Sequence, residues 1–347
     1  MKPKSILPKA FFSFNEMLLQ NINPFNIVTL KRNISSYPFS HKLCKAQSKE
    51  IVRLVSKAFK KASHIKPHYY PSKKLTVEER ALLLEHFMLE VHHNSQELDE
   101  LFILDDQGQF LAQINAQNHL HLHHLTDSQN LKKAFDTLFH IEEELSQNLT
   151  FSFNKKFGYL TSNPHESGTG LICSSYLHLP ALIHAGRLDL HKEKINPHIE
   201  VLGMNTKQEY IADLVHIKNK CTLGLLEKNI LADVQKTKDM LIQMESKERD
   251  NLKASKDSDI KNKISRAFGL LSCASKLNTQ ETLNALSLIE LGKSLKWIDG
   301  LEKSDFSSLF FKTQRAHLPF FSKNIDEMQI TRAKLLHQEL KSAKLSL

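Results

Sequence analysis

Four residues, Asp105-Asp106-Gln107-Gly108, constrain the fold of this chain more than any other segment. They are turn formers set between two apolar-rich runs, 101–104 and 109–115, and that arrangement predicts a β-hairpin. The extended pattern continues over 118–125, and further short strands are predicted at 159–161, 171–177, 198–202 and 210–217. Helical spacing flanks them. Ile51, Val52, Leu54, Val55, Ala58 and Phe59 mark a helix over 48–63, and a third helix is predicted over 128–145. Thr76 and Glu79 form a capping box that opens the second helix, with Leu82, Leu83, Phe87 and Leu89 as its buried face. A sheet in the middle without regular strand–helix–strand alternation defines an α+β class with an antiparallel sheet flanked by helices.

Beyond about Leu226 every periodic segment reads as helical, and Asn278 with Glu281 caps a helix carrying Leu283 and Leu286. The run from Glu245 to Lys263, ESKERDNLKASKDSDIKNK, is highly charged and reads either as a solvated helix or as a linker. The expected organisation is an N-terminal extension at 1–23, an α+β domain at 24–250 and an all-helical domain at 251–347. A chain of 347 residues accommodates that division.

Several function classes are disfavoured by composition. No stretch approaches eighteen uninterrupted apolar residues, so no membrane span is expected. The start, with Lys2, Lys4 and Lys9, lacks the continuous apolar core of a secretory signal. The four cysteines are isolated, which fits a reduced, cytoplasmic setting. A net charge of +9 invites a nucleic-acid partner, but the lysines are dispersed among acids and no arginine-rich tract or zinc-finger spacing occurs. Nucleic acid is therefore not the expected partner. Arginine is scarce, at eight of 47 basic residues, and glycine numbers only ten.

One segment carries an identity: Gly158-Tyr159-Leu160-Thr161-Ser162-Asn163-Pro164, then Gly168-Thr169-Gly170-Leu171, then Leu177-His178-Leu179-Pro180-Ala181-Leu182. It resembles the active-site segment of the ATP:guanido phosphotransferases (phosphagen kinases), and within them the bacterial protein-arginine kinases, whose pattern is GYLTSCPTNxGTGLRAS followed by LHLPAL. Collinear matches at Lys31-Arg32-Asn33, Glu90-Val91-His92, Ile114-Asn115 with His119, Asn219-Lys220, Gln314-Arg315-Ala316-His317-Leu318 and Arg332-Ala333 extend the resemblance over roughly 24–347. It implies a guanido-kinase-like fold with a helical C-terminal domain, and a phosphotransferase acting on a guanidinium.

That chemistry needs Mg²⁺ and several arginines to neutralise the triphosphate, and a carboxylate to orient the guanidinium and accept its proton. The family's Ser-x-Arg-x-Arg clamp falls on Phe25, Ile27 and Thr29 or their immediate neighbours. Its Asn-Glu-Glu-Asp-His reads Asn115-Ala116-Gln117-Asn118-His119, so the carboxylate positions are Ala116, Gln117 and Asn118. A further arginine is His121, the loop cysteine is Asn163, and the arginine after Gly-Thr-Gly is Ile172. Losing one phosphoryl-clamping arginine costs roughly 10³–10⁵ in rate. The expectation is a catalytically degenerate homologue, with ATP and Mg²⁺ relevant only if activity is retained. A working phosphotransferase with a rearranged site is the alternative.

Vestigial nucleotide-binding positions by resemblance are His92, Ser162, Gly168, Thr169 and Gly170. The three glycine-loop residues equally fit a turn that the fold itself requires. The tract at 118–124 places His119, His121 and His123 on one strand face, a weak candidate for a metal site set against polar filling of the old pocket. In the C-terminal domain the family's Arg-Asp-x-x-Arg-Ala survives only as Arg332-Ala333. Resemblance further implies a homodimer through that domain. It also implies a role as regulator or adaptor in protein quality control, beside a Clp-type protease or a zinc-binding activator protein.

Overall fold

The computed structural model describes residues 5–8, 22, 24–89, 98–126, 131–189, 195–204, 209–255, 258–301, 306–318 and 325–346. The strands are β1 (Phe25–Arg32), β2 (His68–Pro71), β3 (Leu101–Leu104), β4 (Phe110–Ile114), β5 (Leu120–Thr126), β6 (Phe153–Asn154), β7 (Gly158–Tyr159), β8 (Leu171–His178), β9 (Ile199–Gly203) and β10 (Leu214–Asn219). Eight of them form one sheet in the order β2-β3-β4-β5-β1-β8-β10-β9, and every neighbouring pair is antiparallel. The hairpin β3–β4 closes over 105–108 with Leu101 opposite Ile114. The strands β6 and β7 make a separate small hairpin.

Helices α1 (Lys45–Phe59), α2 (Val77–Glu85), α3 (Leu131–Ser146), α4 (Pro180–His184) and α5 (Glu227–Ser255) pack around this sheet. The C-terminal region is built from α6 (Ser258–Cys273), α7 (Thr279–Ser294), α8 (Phe306–Lys312) and α9 (Ile325–Glu339), and it is not all-helical as expected, since β11 (Ile298–Asp299) and β12 (Lys344–Leu345) pair antiparallel. The antiparallel α+β class with C-terminal helices therefore holds. The caps at Thr76 and Asn278 also form: Thr76 Oγ1 accepts the Glu79 N–H at 3.1 Å, and Asn278 Oδ1 accepts the Glu281 N–H at 2.8 Å.

Two further expectations change. Helix α2 stops at Glu85, short of Phe87 and Leu89, because Phe87 turns left-handed at φ 59° and the Met88 N–H closes onto the Leu83 carbonyl at 2.9 Å. That 6→1 closure is the Schellman geometry with a phenylalanine where glycine is usual. Its ring lies 4.8 Å from Phe25 and 4.7 Å from Tyr176, which offsets the backbone strain. The charged run after Glu245 is neither a linker nor wholly solvated. It completes α5 and opens α6, and Glu245 is fully buried, accepting the Ala181 and Leu182 N–H groups at 3.1 and 3.0 Å. Those are amides of the first turn of α4, so a carboxylate on one helix satisfies the start of another.

Candidate functional site

Because residues directly opposite in antiparallel strands share a face, the register of β1 lays out the site. One face of β1 carries Val28 and Leu30, opposite Cys173 and Leu171 on β8 and flanked by Leu122 on β5. These side chains form the main core under α1, α3 and α5. The other face carries Phe25, Ile27, Thr29 and Lys31, the strand on which the clamp positions fall. Phe25 lies opposite Tyr176, Ile27 opposite Ser174 and Leu125, Thr29 opposite Ile172 and His123, and Lys31 opposite His121.

That second face is filled. Phe25 stacks on Tyr176 at 4.6 Å, Tyr176 stacks on His216 at 4.4 Å, and Phe87 leans over Phe25 and Tyr176. Ile27, Thr29 and Ile172 are buried beside them. Thr29 Oγ1 shares a hydrogen bond with His123 Nδ1 at 2.9 Å. The two basic residues ending β1 are held by acids. Lys31 Nζ lies 2.9 Å from both carboxylate oxygens of Glu166. Arg32 grips Glu142 through Nε and Nη2 at 2.5 and 3.0 Å, donates to the Lys31 and Thr169 carbonyls, and stacks 3.6 Å over the Tyr159 ring.

The segment matching the family carboxylates forms a closed turn. Asn115 takes φ 60°, and its amide donates to the Ser48 and Asp99 carbonyls at 2.9 and 2.7 Å. Ala116 and Asn118 are buried. Asn118 Oδ1 accepts from Asn33 Nδ2 at 2.8 Å and from the Ser162 N–H at 2.7 Å, while its Nδ2 faces His121 Nε2 at 3.1 Å. Ser162 Oγ donates to the Gln117 carbonyl at 2.6 Å. Ser162 is thus brought against the carboxylate positions, and it bonds to them. His92 lies outside the described residues.

Gly168 and Gly170 have φ 104° and 60°. A Cβ on Gly168 would lie 2.8 Å from the Thr222 carbonyl, and one on Gly170 would lie 2.6 Å from the Lys31 carbonyl and 2.7 Å from Arg32 Nη1. The Gly168 N–H donates to the Tyr159 carbonyl at 3.0 Å, and the Leu171 N–H reaches Thr169 Oγ1 at 3.3 Å. Close backbone approach requires glycine here whether or not an anion binds.

His121 and His123 lie on the face of Lys31 and Thr29, with Leu120 and Leu122 in the core, while His119 precedes β5 and turns to Ile34 and Pro38. They do not converge as ligands: among the described residues no group of three or more His, Cys, Asp or Glu side chains could hold a metal ion. His119 Nδ1 accepts the Ile34 N–H at 3.0 Å and its Nε2 meets the Pro38 carbonyl at 2.8 Å, so both ring nitrogens are occupied. Burial lowers its pKa to about 4, slightly opposed by the Pro38 bond. In the C-terminal region Arg332 is likewise inward. It donates to the Thr313 carbonyl at 2.7 Å, to Thr279 Oγ1 at 2.9 Å and to the Leu277 carbonyl. Nothing in the sequence flagged the Arg32–Glu142 and Lys31–Glu166 pairs or the Phe87 stack, which join residues far apart in the chain.

The arrangement is that of a guanidino-kinase fold. A duplicated taurocyamine kinase from Schistosoma mansoni, solved with transition-state-analogue components, superposes with a TM-score of 0.58 at 22% identity, over 71% of this chain and 36% of that one. A lombricine kinase gives 0.57 at 20% identity, over 71% of each chain. Residues 50–248 match the family model "ATP:guanido phosphotransferase, C-terminal catalytic domain", and 257–346 match "Protein-arginine kinase McsB C-terminal domain". The chain belongs to the ATP:guanido phosphotransferase family. It is 29% identical over 329 residues to a protein-arginine kinase of Chlamydia muridarum, covering 93% of this chain and 92% of the relative. With the protein-arginine kinase of Chlamydia pneumoniae it shares 32% identity over 323 residues, 90% of this chain and 88% of the relative.

Proposed function

We propose that this chain is a protein-arginine-kinase-like protein that has lost phosphoryl transfer and acts by binding, as a cytoplasmic regulator or adaptor in protein quality control. The observation that carries the reading is the filled face of β1. Where the family clamps a triphosphate, Phe25, Ile27 and Thr29 are packed under Phe87, Tyr176 and His123. The nearby cations Lys31 and Arg32 already hold Glu166 and Glu142. A nucleoside triphosphate and its Mg²⁺ do not fit residues of this kind, which offer neither clamping arginines nor a catalytic carboxylate. Ala116, Gln117 and Asn118 supply no proton acceptor of suitable pKa for a guanidinium. The implied partners, a Clp-type protease or a zinc-binding activator protein, and a homodimer through the C-terminal domain, belong to this binding role.

The test is direct. Purified protein incubated with ATP, Mg²⁺ and arginine-rich protein substrates is expected to form no phospho-arginine, and millimolar ATP is expected to leave its melting temperature unchanged within about 1 °C. Turnover lost on changing Asn118 or His119 would overturn the reading. The name shared by the relatives favours the second reading, an active kinase with a rearranged site, and the same assay decides between them.

A further inference from the structure

Eight large apolar side chains are exposed among the described residues, and four of them, Phe153, Phe157, Leu223 and Leu226, come from two segments that meet at Gly168. The hairpin β6–β7 is tied to Gly168 by paired backbone bonds between Tyr159 and Gly168 at 2.8 and 3.0 Å. From the other side the Thr222 N–H donates to the His165 carbonyl at 2.9 Å, Thr222 Oγ1 donates to the Ser167 carbonyl at 2.7 Å, and a Cβ on Gly168 would lie 3.0 Å from Leu223 Cα. The two segments that carry these apolar side chains are therefore braced against each other as one rim around Gly168. Lys155, Lys156, Lys220 and Lys228 are exposed on the same two segments, with Glu227 the acid beside them.

We infer that this rim is a docking surface for an acidic protein segment bearing leucine or phenylalanine side chains. The inference rests on the binding role proposed above and names the chemistry of its partner. Charge selects the occupant: lysines framing an apolar strip complement carboxylates interleaved with apolar residues. A second copy presenting the same rim would set lysine against lysine. Phe157 takes the Lys156 ammonium over its ring at 5.4 Å, and Phe153 makes a T-shaped contact with Tyr159 at 5.3 Å, so lysine and aromatic surface lie side by side on the hairpin.

A fluorescent 20-residue synthetic peptide alternating Glu with Leu and Phe tests this by anisotropy on the full chain. Binding is expected to weaken about tenfold in Phe153→Ser/Phe157→Ser and by a similar factor in Lys155→Glu/Lys156→Glu, and to weaken as salt rises. The four side chains are exposed, and unchanged melting temperatures verify that both variants fold. Equal affinity for wild type and both double variants overturns the inference. So does equal binding of a control peptide with serine in place of Leu and Phe. Tighter binding of a 20-nucleotide oligo-thymidine, or of phosphatidylserine vesicles, lost in the same variants, also overturns it in favour of that partner. ATP turnover measured on the same preparations would sink the non-catalytic reading and leave the surface standing, whereas absent peptide binding sinks only the surface.

Discussion

Lys31 and Arg32 are neighbours in sequence and point to opposite faces of the sheet. Arg32 enters the helix-covered side and meets Glu142 on α3, with both side chains at most 5% exposed. Lys31 enters the face of Phe25, Ile27 and Thr29, the cleft side by family resemblance, and meets Glu166 on the loop before Gly168, where the acid keeps 16% exposure. Two basic residues of one strand thus form two ion pairs in different surroundings. One belongs to the scaffold. The other lies on the face that the proposed function turns on.

The largest expected effect follows from that difference. Arg32→Ala removes a bidentate pair and two carbonyl bonds and strands a buried carboxylate, so urea unfolding should show a loss of roughly 3–5 kcal/mol. Lys31→Ala leaves Glu166 able to regain water, and about 1–2 kcal/mol is expected. Equal losses would mean that the cleft side is as dry as the helical side, and would break the comparison. Gly170 ties the two pairs together, since an added Cβ would press on both the Lys31 carbonyl and the Arg32 guanidinium. Gly170→Ala should cost about 2–3 kcal/mol. Gly224, at φ 77° with nothing within 4 Å of an added Cβ, is the control, and Gly224→Ala should cost only about 1 kcal/mol.

The scaffold side was the more legible of the two. Turn chemistry at 105–108, the caps at Thr76 and Asn278, and alternation over 120–123 are local signals, and each reappears as structure. Strand β1 had no such signal. All eight of its residues are buried, so the period-two pattern that marks a half-exposed strand is missing. Glu245 looked solvated because a charged residue in a charged run normally is, and only the approach of α4 makes it a buried cap. At the site, Phe25, Ile27 and Thr29 share one face of β1 and 115–118 form one turn, while His92 lies outside the described residues. What fills that face was not legible, because Phe87 reaches Phe25 and Tyr176 only after the chain has folded.

Acidification adds a smaller effect spread over the buried histidines. His119 has its pKa lowered to about 4 by burial, against about 6.5 in the unfolded chain. Between those values the unfolded chain binds the extra proton, so the His119 contribution is complete above pH 6.5 and fades as pH falls toward 4. Burial acts in the same direction on His124, to about 4, and on His178 and His317, to about 3. Glu85 opposes them. Desolvation raises its pKa to about 7, so its folded-state contribution fades as pH rises from 4.5 to 7. The expected net result is a melting temperature that drops from pH 6.5 to 4, with a slope reduced in His119→Asn. Each fully buried histidine contributes of order 2 kcal/mol to that loss.

The smallest expected effect is the most informative about function. Asn118 Oδ1 accepts two N–H bonds that a carboxylate oxygen would accept equally well. Its Nδ2 faces His121 Nε2, which an aspartate could meet if that nitrogen carried the proton. Asn118→Ala removes all of these and should cost about 2 kcal/mol. Asn118→Asp keeps the two Oδ1 bonds but places a buried charge with no cation among its hydrogen-bond partners, so about 1 kcal/mol is expected at neutral pH. That cost shrinks on acidification, as the new carboxyl takes up a proton. On the proposed function, placing an acid here should not produce chemistry. Asn118→Asp alone, or together with Ala116→Glu and Gln117→Glu, should still transfer no phosphate, because Ile27 and Thr29 stay packed where the family places its clamping arginines. Phosphoryl transfer by the triple variant would show that the filled face of β1 opens to nucleotide after all, against the proposed function.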